Sequence, residues 1–516
     1  MSFVDKLKGT LDDEFNVSVT EKGALGYRTT GKALVDLNFM MAHFRSATDE
    51  GIIKYFTKAF HENKFIALKY LFFAGDVRGG LGERRFFRVC LKFLAESQPE
   101  IAKKLLPLVA EYTRWDNLLV LLDTELKDDV CSILKAQIDD DIQKMQENKS
   151  ISLCAKWLPS VNSSSKLSKT RAKIIISTWN IKESEYRKIL SKLRAYLKVI
   201  EVQMSRGEWS TINYEQVPSR ANLIYNGAFL RNDEERRRDY LSKLEKGEAK
   251  INSGVLFPHD IVHSYIDSFG WKNRIKKKDV ALEEMWKGLP NYVEGANNTI
   301  CVLDGSGSMC ISLGKTNVRA IDVGTALAIY FSERCSGEFK DKFITFSENP
   351  QLVNLSKCKT LRDKIEVSFA YDEVANTNIE AVFDLILTTA VKSNMKQSDM
   401  PKNILILSDM EFDGCVETSH FGTIVNSNMA RLFDVFAQKF AQYGYKLPRL
   451  VFWNINSRSG TIPVKENELG VALVSGFSTV IAKMVLSEKL DPYDCIIEQL
   501  NTERYEPVAK AIKGVK

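Results

Sequence analysis

Asp304, Ser306 and Ser308 occupy alternate positions of Leu303-Asp-Gly-Ser-Gly-Ser-Met309. One carboxylate and two hydroxyls can converge there, because Gly305 and Gly307 let the loop turn tightly. All three donors are oxygens, the set that suits a hard dication such as Mg²⁺. Ile300-Cys-Val-Leu303 precedes them, an apolar run bounded by turn residues that predicts a buried parallel strand. Ligand sites of open α/β sheets lie just beyond the carboxyl ends of such strands. The pattern therefore predicts a cation site at a strand end.

The elements that would position this loop follow from the patterning downstream. From Asn298, strands at 299–304, 341–347, 351–354, 403–409, 449–455 and 470–474 alternate with helices at 318–335, 360–365, 378–393 and 427–442. Further helices run over 478–486 and beyond Asp491. Such alternation predicts a parallel sheet covered on both faces. Ile404-Leu-Ile-Leu407 and Leu450-Val-Phe-Trp453 suit that doubly buried setting.

The first half has a different texture. Nothing in 30–250 alternates with period two, whereas apolar residues at helical spacing predict helices at 52–60, 65–73, 83–94, 99–112 and 116–123. More follow at 126–147, 169–178, 183–204, 233–245 and 281–287. Gly75-Asp-Val-Arg-Gly-Gly-Leu-Gly-Glu-Arg-Arg85 forbids regular helix and reads as an interhelical turn or an anion nest. Short helices in series predict an α-solenoid, HEAT-like and degenerate because no strict period is visible. The expected class is α + α/β: an arm over 1–29, a helical domain over 30–290 and an α/β domain over 296–516. Gly288-Leu-Pro-Asn-Tyr292 marks the boundary, and Lys272-Asn-Arg-Ile-Lys-Lys-Lys278 reads as a basic connection.

Composition agrees. At 516 residues, with 44% hydrophobic and 27% charged, the chain suits two or more globular domains. No apolar run approaches a membrane span, and residues 1–32 hold no hydrophobic block, so a cytoplasmic protein without a secretory signal is expected. The nine cysteines form no C-x-x-C pair, which points to thiols rather than disulfides or zinc. The net charge of +6 is uneven: residues 1–290 carry 48 Lys and Arg against 39 Asp and Glu, and the remainder 24 against 27. Residues 151–200 alone hold 11 basic side chains and two acidic ones. That bias marks either a polyanion-binding surface or solvated helix faces.

The D-x-S-x-S spacing after an apolar strand resembles the metal-ion-dependent adhesion site of von Willebrand factor A domains. The resemblance implies two further ligands. Ala375-Asn-Thr-Asn-Ile-Glu-Ala-Val-Phe383 places Thr377 in the threonine position, and Asn403-Ile-Leu-Ile-Leu-Ser-Asp409 places Asp409 at the end of a strand. Asp304, Ser306, Ser308, Thr377 and Asp409 would then hold Mg²⁺ or another divalent cation, for recognition or as a structural ion. A helical array followed by such a domain is similar to the Ro ribonucleoprotein autoantigen (TROVE-type) family, in which a ring of HEAT-like helices binds noncoding and misfolded RNA. Motifs such as Asp76-Val-Arg-Gly-Gly-Leu-Gly-Glu-Arg84, Arg114-Trp-Asp-Asn117, Ser152-Leu-Cys-Ala-Lys-Trp-Leu-Pro159 and Phe257-Pro-His-Asp-Ile261 resemble an uncharacterised Ro-like family found in viruses, fungi and plants.

For RNA, the candidates are Arg78, Arg84, Arg85, Lys156, Lys166, Lys169, Arg171, Lys173 and Arg220. They supply phosphate partners, while Trp157 offers a stacking plane or a core side chain. Arg236, Arg237 and Arg238 follow Glu234-Glu235 and read as local ion pairs. Asp139 to Asp141 read as a solvated helix face. Catalytic patterns are wanting: His259 and His263 lack the H-E-x-x-H glutamate, the glycine loop lacks G-K-[ST], and Gly305-Ser-Gly-Ser308 lacks the nucleophile-elbow spacing. The expectation is a non-enzymatic RNA-binding protein. The alternative is a Mg²⁺-dependent adhesion or scaffold module without RNA, including a virion-packaged protein.

Overall fold

In the computed structural model, Thr299–Asp304 (β1) is buried at each of its six positions, so both faces of the strand are covered. The structure describes residues 16–20, 25–269, 272–293, 298–314, 316–346, 350–371, 379–411, 416–418, 424–426, 429–463, 471–487, 489 and 491–514. Five further strands complete the sheet: Lys342–Phe346 (β2), Gln351–Asn354 (β3), Asn403–Ser408 (β4), Arg449–Asn454 (β5) and Ala472–Ser475 (β6). Their order is β3-β2-β1-β4-β5-β6, parallel throughout except for the β2–β3 hairpin at one edge. This is the doubly wound arrangement, and its order reverses between β1 and β4. The register opposes Leu303 to Leu407 and Asp304 to Phe346, which brings the carboxyl ends of β1 and β4 level. The α + α/β class expected from sequence is the class observed.

Ala320–Arg334 covers β1, β2 and β4. Gly324 permits the close approach, since a Cβ there would lie 2.6 Å from Leu303 Cδ1. The helix opens on Asp322, which accepts the Arg319 amide at 3.0 Å and the His263 Nδ1 contact at 3.0 Å.

Two compact units divide the chain, and both are discontinuous: Met1–Asn63 with Leu256–Gln499, and Lys64–Val255 with Leu500–Lys516. These units cut elsewhere than the expected boundary near residue 290. Ala33–Phe39 packs on β6, where the Ala42 amide donates to Ser475 Oγ at 2.9 Å and Asn454 Nδ2 to the Phe39 carbonyl at 2.8 Å. In the described part of the expected arm, Val17–Val19 pairs antiparallel with Leu25–Tyr27, and Tyr27 bridges to Ile462 by two 2.9 Å backbone bonds. Residues 272–278, expected as a connection, contribute a strand of the Ile266–Phe269/Lys272–Ile275 hairpin. Glu283, fully buried, caps Leu361–Ala370 by accepting the Leu361 and Arg362 amides at 2.8 and 3.1 Å.

In the other unit, helices such as Lys64–Gly75, Arg84–Ser97, Pro99–Tyr112 and Lys127–Gln146 pack chiefly on their chain neighbours, the pattern of quasi-one-dimensional helical arrays. The segment expected as a helix over 116–123 is a 3₁₀ turn, Trp115–Leu121. The glycine loop is a tight turn. Its Leu81, Gly82 and Glu83 amides donate to the carbonyls of Phe73, Asp76 and Ala74, so these three are not available to an anion. Gly80 is obligatory, because any Cβ would overlap the Phe73 carbonyl oxygen. Asp76, fully buried in this turn, receives the Arg504 guanidinium through Nε and Nη2, the Tyr505 hydroxyl at 3.0 Å and the Arg78 amide at 2.9 Å. Tyr505 also stacks on Tyr112, and Glu506–Ala511 packs on Lys64–Gly75 and Pro99–Tyr112.

Asp76→Ala is expected to lower the stability of this unit by about 3 kcal/mol, the lower end for breaking a buried pair because Arg504 stays partly hydrated. Chemical denaturation reads it against the exposed control Glu100→Ala, and equal midpoints would refute the role given to Asp76.

Candidate functional site

The strand order reverses between β1 and β4, so the turns leaving them diverge, at the place where doubly wound sheets bind their ligands. Asp304 is the last residue of β1 and Asp409 the first after β4; both are 0% exposed. Ser306, also buried, donates its amide to Asp304 Oδ1 at 2.9 Å, and its hydroxyl lies 2.8 Å from that of Ser308. The Ser308 hydroxyl in turn bonds Asp409. Ser408 Oγ donates to Asp304 Oδ2 at 2.6 Å while accepting the Met410 amide at 2.9 Å. Met410 takes the left-handed conformation, φ 62°, that bends the chain away after β4.

The electrostatics follow from the burial. Loss of hydration and then the neighbouring Asp409 charge push the Asp304 carboxyl up to about 7, against the donors from Ser408 and Ser306. Asp409 is raised mainly by its own burial, which the Ser308 hydroxyl and the Arg458 charge oppose. Two dry, adjacent carboxylates thus face a deficit of positive charge, with hard oxygens converging around them.

Of the five ligands implied by the resemblance, Asp304, Ser306, Ser308 and Asp409 come together. Thr377 lies outside the described residues. Among the described residues no three His, Cys, Asp or Glu side chains are grouped to hold a metal, so a cation here would depend on the serine hydroxyls. The donor set fits Mg²⁺, which takes few carboxylates and keeps several waters.

Three neighbours went unseen in the sequence. Ser408 was visible only as the one hydroxyl residue closing an apolar strand. Glu411, fully buried, accepts the Arg458 and Ser459 amides at 2.8 Å each, and Arg458 Nη1 reaches Asp409 Oδ2 at 3.1 Å. Arg458 leaves no local signal, because it enters from the turn after β5.

The basic candidates separate into groups. Arg84 sits near Arg114, Arg88 and Arg220; burial and then these like charges hold its guanidinium below the usual range. Arg171 is lowered by burial and by Arg88. Asp116 bridges Arg88 at 2.6 Å and Arg114 at 2.9 and 2.6 Å, and Arg114 lies 3.8 Å from the centre of the Trp157 ring. Lys166, Lys169 and Lys173 are exposed along Lys166–Thr178, whose Ala172 and Ile175 are buried. Arg85 is half-buried at the start of its helix. Arg78 turns to the Glu111 carbonyl and Lys156 to Glu201 at 3.8 Å. The arginines Arg88 and Arg114 were missed because each stands beside an acidic or neutral residue rather than in a basic run.

Other candidates are accounted for structurally. Arg236 and Arg238 pair with Asp233 and Glu234, as expected, while Arg237 is buried among Tyr214, Phe229 and Tyr240. His259 stacks on Phe257, and His263 contacts Asp322. Asp141 is not on a solvated face: it is buried and accepts the Ser152 amide and hydroxyl at 2.9 and 2.7 Å.

Residues 298–512 match a family described as a domain of unknown function (DUF7788), and residues 123–289 match another, a domain of unknown function (DUF2828). The chain is 29% identical over 535 residues to "Uncharacterized protein L728" of Acanthamoeba polyphaga mimivirus, an alignment spanning 96% of this chain and 89% of that protein. It is also similar to the crystal structure of the Deinococcus radiodurans RO (RSR) protein, with a TM-score of 0.43 and 15% identity, over 88% of this chain and 94% of that one.

A cation bound by this donor set stabilises the folded chain by mass action, about 2.7 kcal/mol at 100-fold excess over its dissociation constant. Thermal unfolding with Mg²⁺ against EDTA is therefore expected to show a magnesium-dependent rise that Asp304→Asn and Asp409→Asn both lose. A rise of equal size in either variant would place the cation elsewhere.

Proposed function

We propose that this chain is a Ro-like RNA-binding protein, holding single-stranded segments of noncoding or misfolded RNA on its helical unit. The observation that carries the reading is the arginine group around Asp116, which pairs with Arg88 and Arg114 while Arg84 feels the like charges of Arg114, Arg88 and Arg220. A phosphate would relieve the mutual repulsion that burial has sharpened. The Arg114–Trp157 pair offers a flat surface on which an unpaired base can stack. Lys166, Lys169 and Lys173 extend the positive face along one helix. The charge split between the two halves of the sequence and the family resemblance of its motifs point the same way.

In this reading the helical unit is the HEAT-like array, and the sheet unit is a von Willebrand factor A-type domain. Asp304, Ser306, Ser308 and Asp409 would hold Mg²⁺, which when bound supplies positive charge for a partner's carboxylate. The half-exposed Ser308 favours that second, adhesive role beside RNA binding. The function is binding rather than catalysis: the buried acids are engaged with amides, hydroxyls and guanidiniums.

Filter binding with a single-stranded RNA across a salt series tests the proposal. Arg84→Ala/Arg171→Ala/Arg220→Ala is expected to weaken binding at least tenfold and to flatten the log–log salt slope by about 2, from roughly 0.7 per lost phosphate contact. Undetectable wild-type binding at low salt, or a wild-type slope near zero, would overturn it.

A further inference from the structure

We propose that Arg458 is the resident counter-cation of the strand-end carboxylate pair, standing where a dication's charge would act and setting how tightly one binds. The inference rests on reading Asp304 and Asp409 as a cation site. Arg458 Nη1 lies 3.1 Å from Asp409 Oδ2, and the arginine side chain is 21% exposed where Asp409 is fully buried. The pair therefore sits at the edge of a dry pocket, charged head inward and one side toward water.

The aim of this side chain is built into the backbone. Asn454, the buried last residue of β5, accepts the Ser457 amide at 2.8 Å, and Ser457 Oγ accepts the Gly460 amide at 3.2 Å. Between those anchors, Glu411 accepts the amides of Arg458 and Ser459 and the Ser459 hydroxyl at 3.0 Å. The Glu411 amide donates back to Asp409 Oδ1 at 3.2 Å. Glu411 thus fixes the turn that carries Arg458 through its carboxylate and the second oxygen of the target through its amide. A surface arginine that met Asp409 by chance would have no such support.

The consequence is an exchange of cations. A guanidinium and a dication repel when they share one carboxylate, and a buried setting sharpens that repulsion. Entry of Mg²⁺ would require Arg458 to release Asp409, and its partial exposure leaves a path to solvent. Arg458 keeps the metal-free pair folded and at the same time weakens metal binding.

Isothermal titration with Mg²⁺, paired with thermal unfolding in EDTA, tests this on the full chain. Arg458→Gln is expected to bind Mg²⁺ at least tenfold more tightly than wild type and to unfold at lower temperature in EDTA; Arg458→Lys, which keeps the charge, stays close to wild type in both. Equal Mg²⁺ affinity in wild type and Arg458→Gln, or weaker binding in Arg458→Gln, overturns the inference and leaves the cation site standing. Absence of Mg²⁺ binding in the wild type and both variants overturns the cation site itself. Should Arg458→Gln fail to fold in EDTA, folding recovered by millimolar Mg²⁺ supports the exchange, and no recovery, with Arg458→Lys binding as wild type, refutes it.

Discussion

Two carboxylates held side by side without water are the constraint around which the sheet unit is built. Asp304 and Asp409 are there because β1 and β4 are neighbours whose helical connections leave in opposite directions. Burial of both strand faces removes the water that would otherwise screen the pair. Ionised side chains in such a place are costly unless positive charge or strong donors surround them. The serine hydroxyls, the Ser306 amide and Arg458 are the groups that answer this demand.

Comparison with the other buried acids makes the difference plain. Asp76 takes a guanidinium by two atoms, a tyrosine hydroxyl and an amide; Glu283 takes two amides and the Tyr265 hydroxyl; Glu411 takes two amides and a hydroxyl. Each of these ties two separated pieces of chain together, which is a structural role. Asp304 takes three neutral donors, the Ser306 amide and hydroxyl and the Ser408 hydroxyl, and stands next to another acid. The basic group in the helical unit gathers guanidiniums instead, Arg88 and Arg114 on Asp116 with Arg84 beside them.

Much of this was legible in the sequence, for physical reasons that can be named. Doubly buried strands need uninterrupted apolar runs, so β1, β4 and β5 announce themselves, and Asp304, Ser306 and Ser308 follow the first of them at alternate positions. What escaped depended on tertiary neighbours. Arg458 and Glu411 meet only because β4 and β5 are adjacent, and nothing within either turn says so. The hairpin over Lys272–Ile275 was hidden by its charges, which resemble those of a linker but alternate along a strand paired with Ile266–Phe269. The compact units cut elsewhere because Ala33–Phe39, a helix buried from Leu34 to Phe39, packs on β6, a partner that no local pattern states. The solvated-face reading of Asp139 to Asp141 failed at Asp141 alone, whose partner Ser152 lies beyond the end of the helix.

The interleaving of the two compact units bears on how the chain is made. Residues 64–255 leave the ribosome long before Leu500–Lys516, yet Asp76 finds its guanidinium only in that last segment. At about 5–20 residues per second the nascent helices wait roughly 10–50 s with an acidic socket unfilled. Ala33–Phe39 waits likewise for β6. Neither unit can close until its last segment has been made, so a ribosome stalled before Ala472 would release a polypeptide in which both are unfinished.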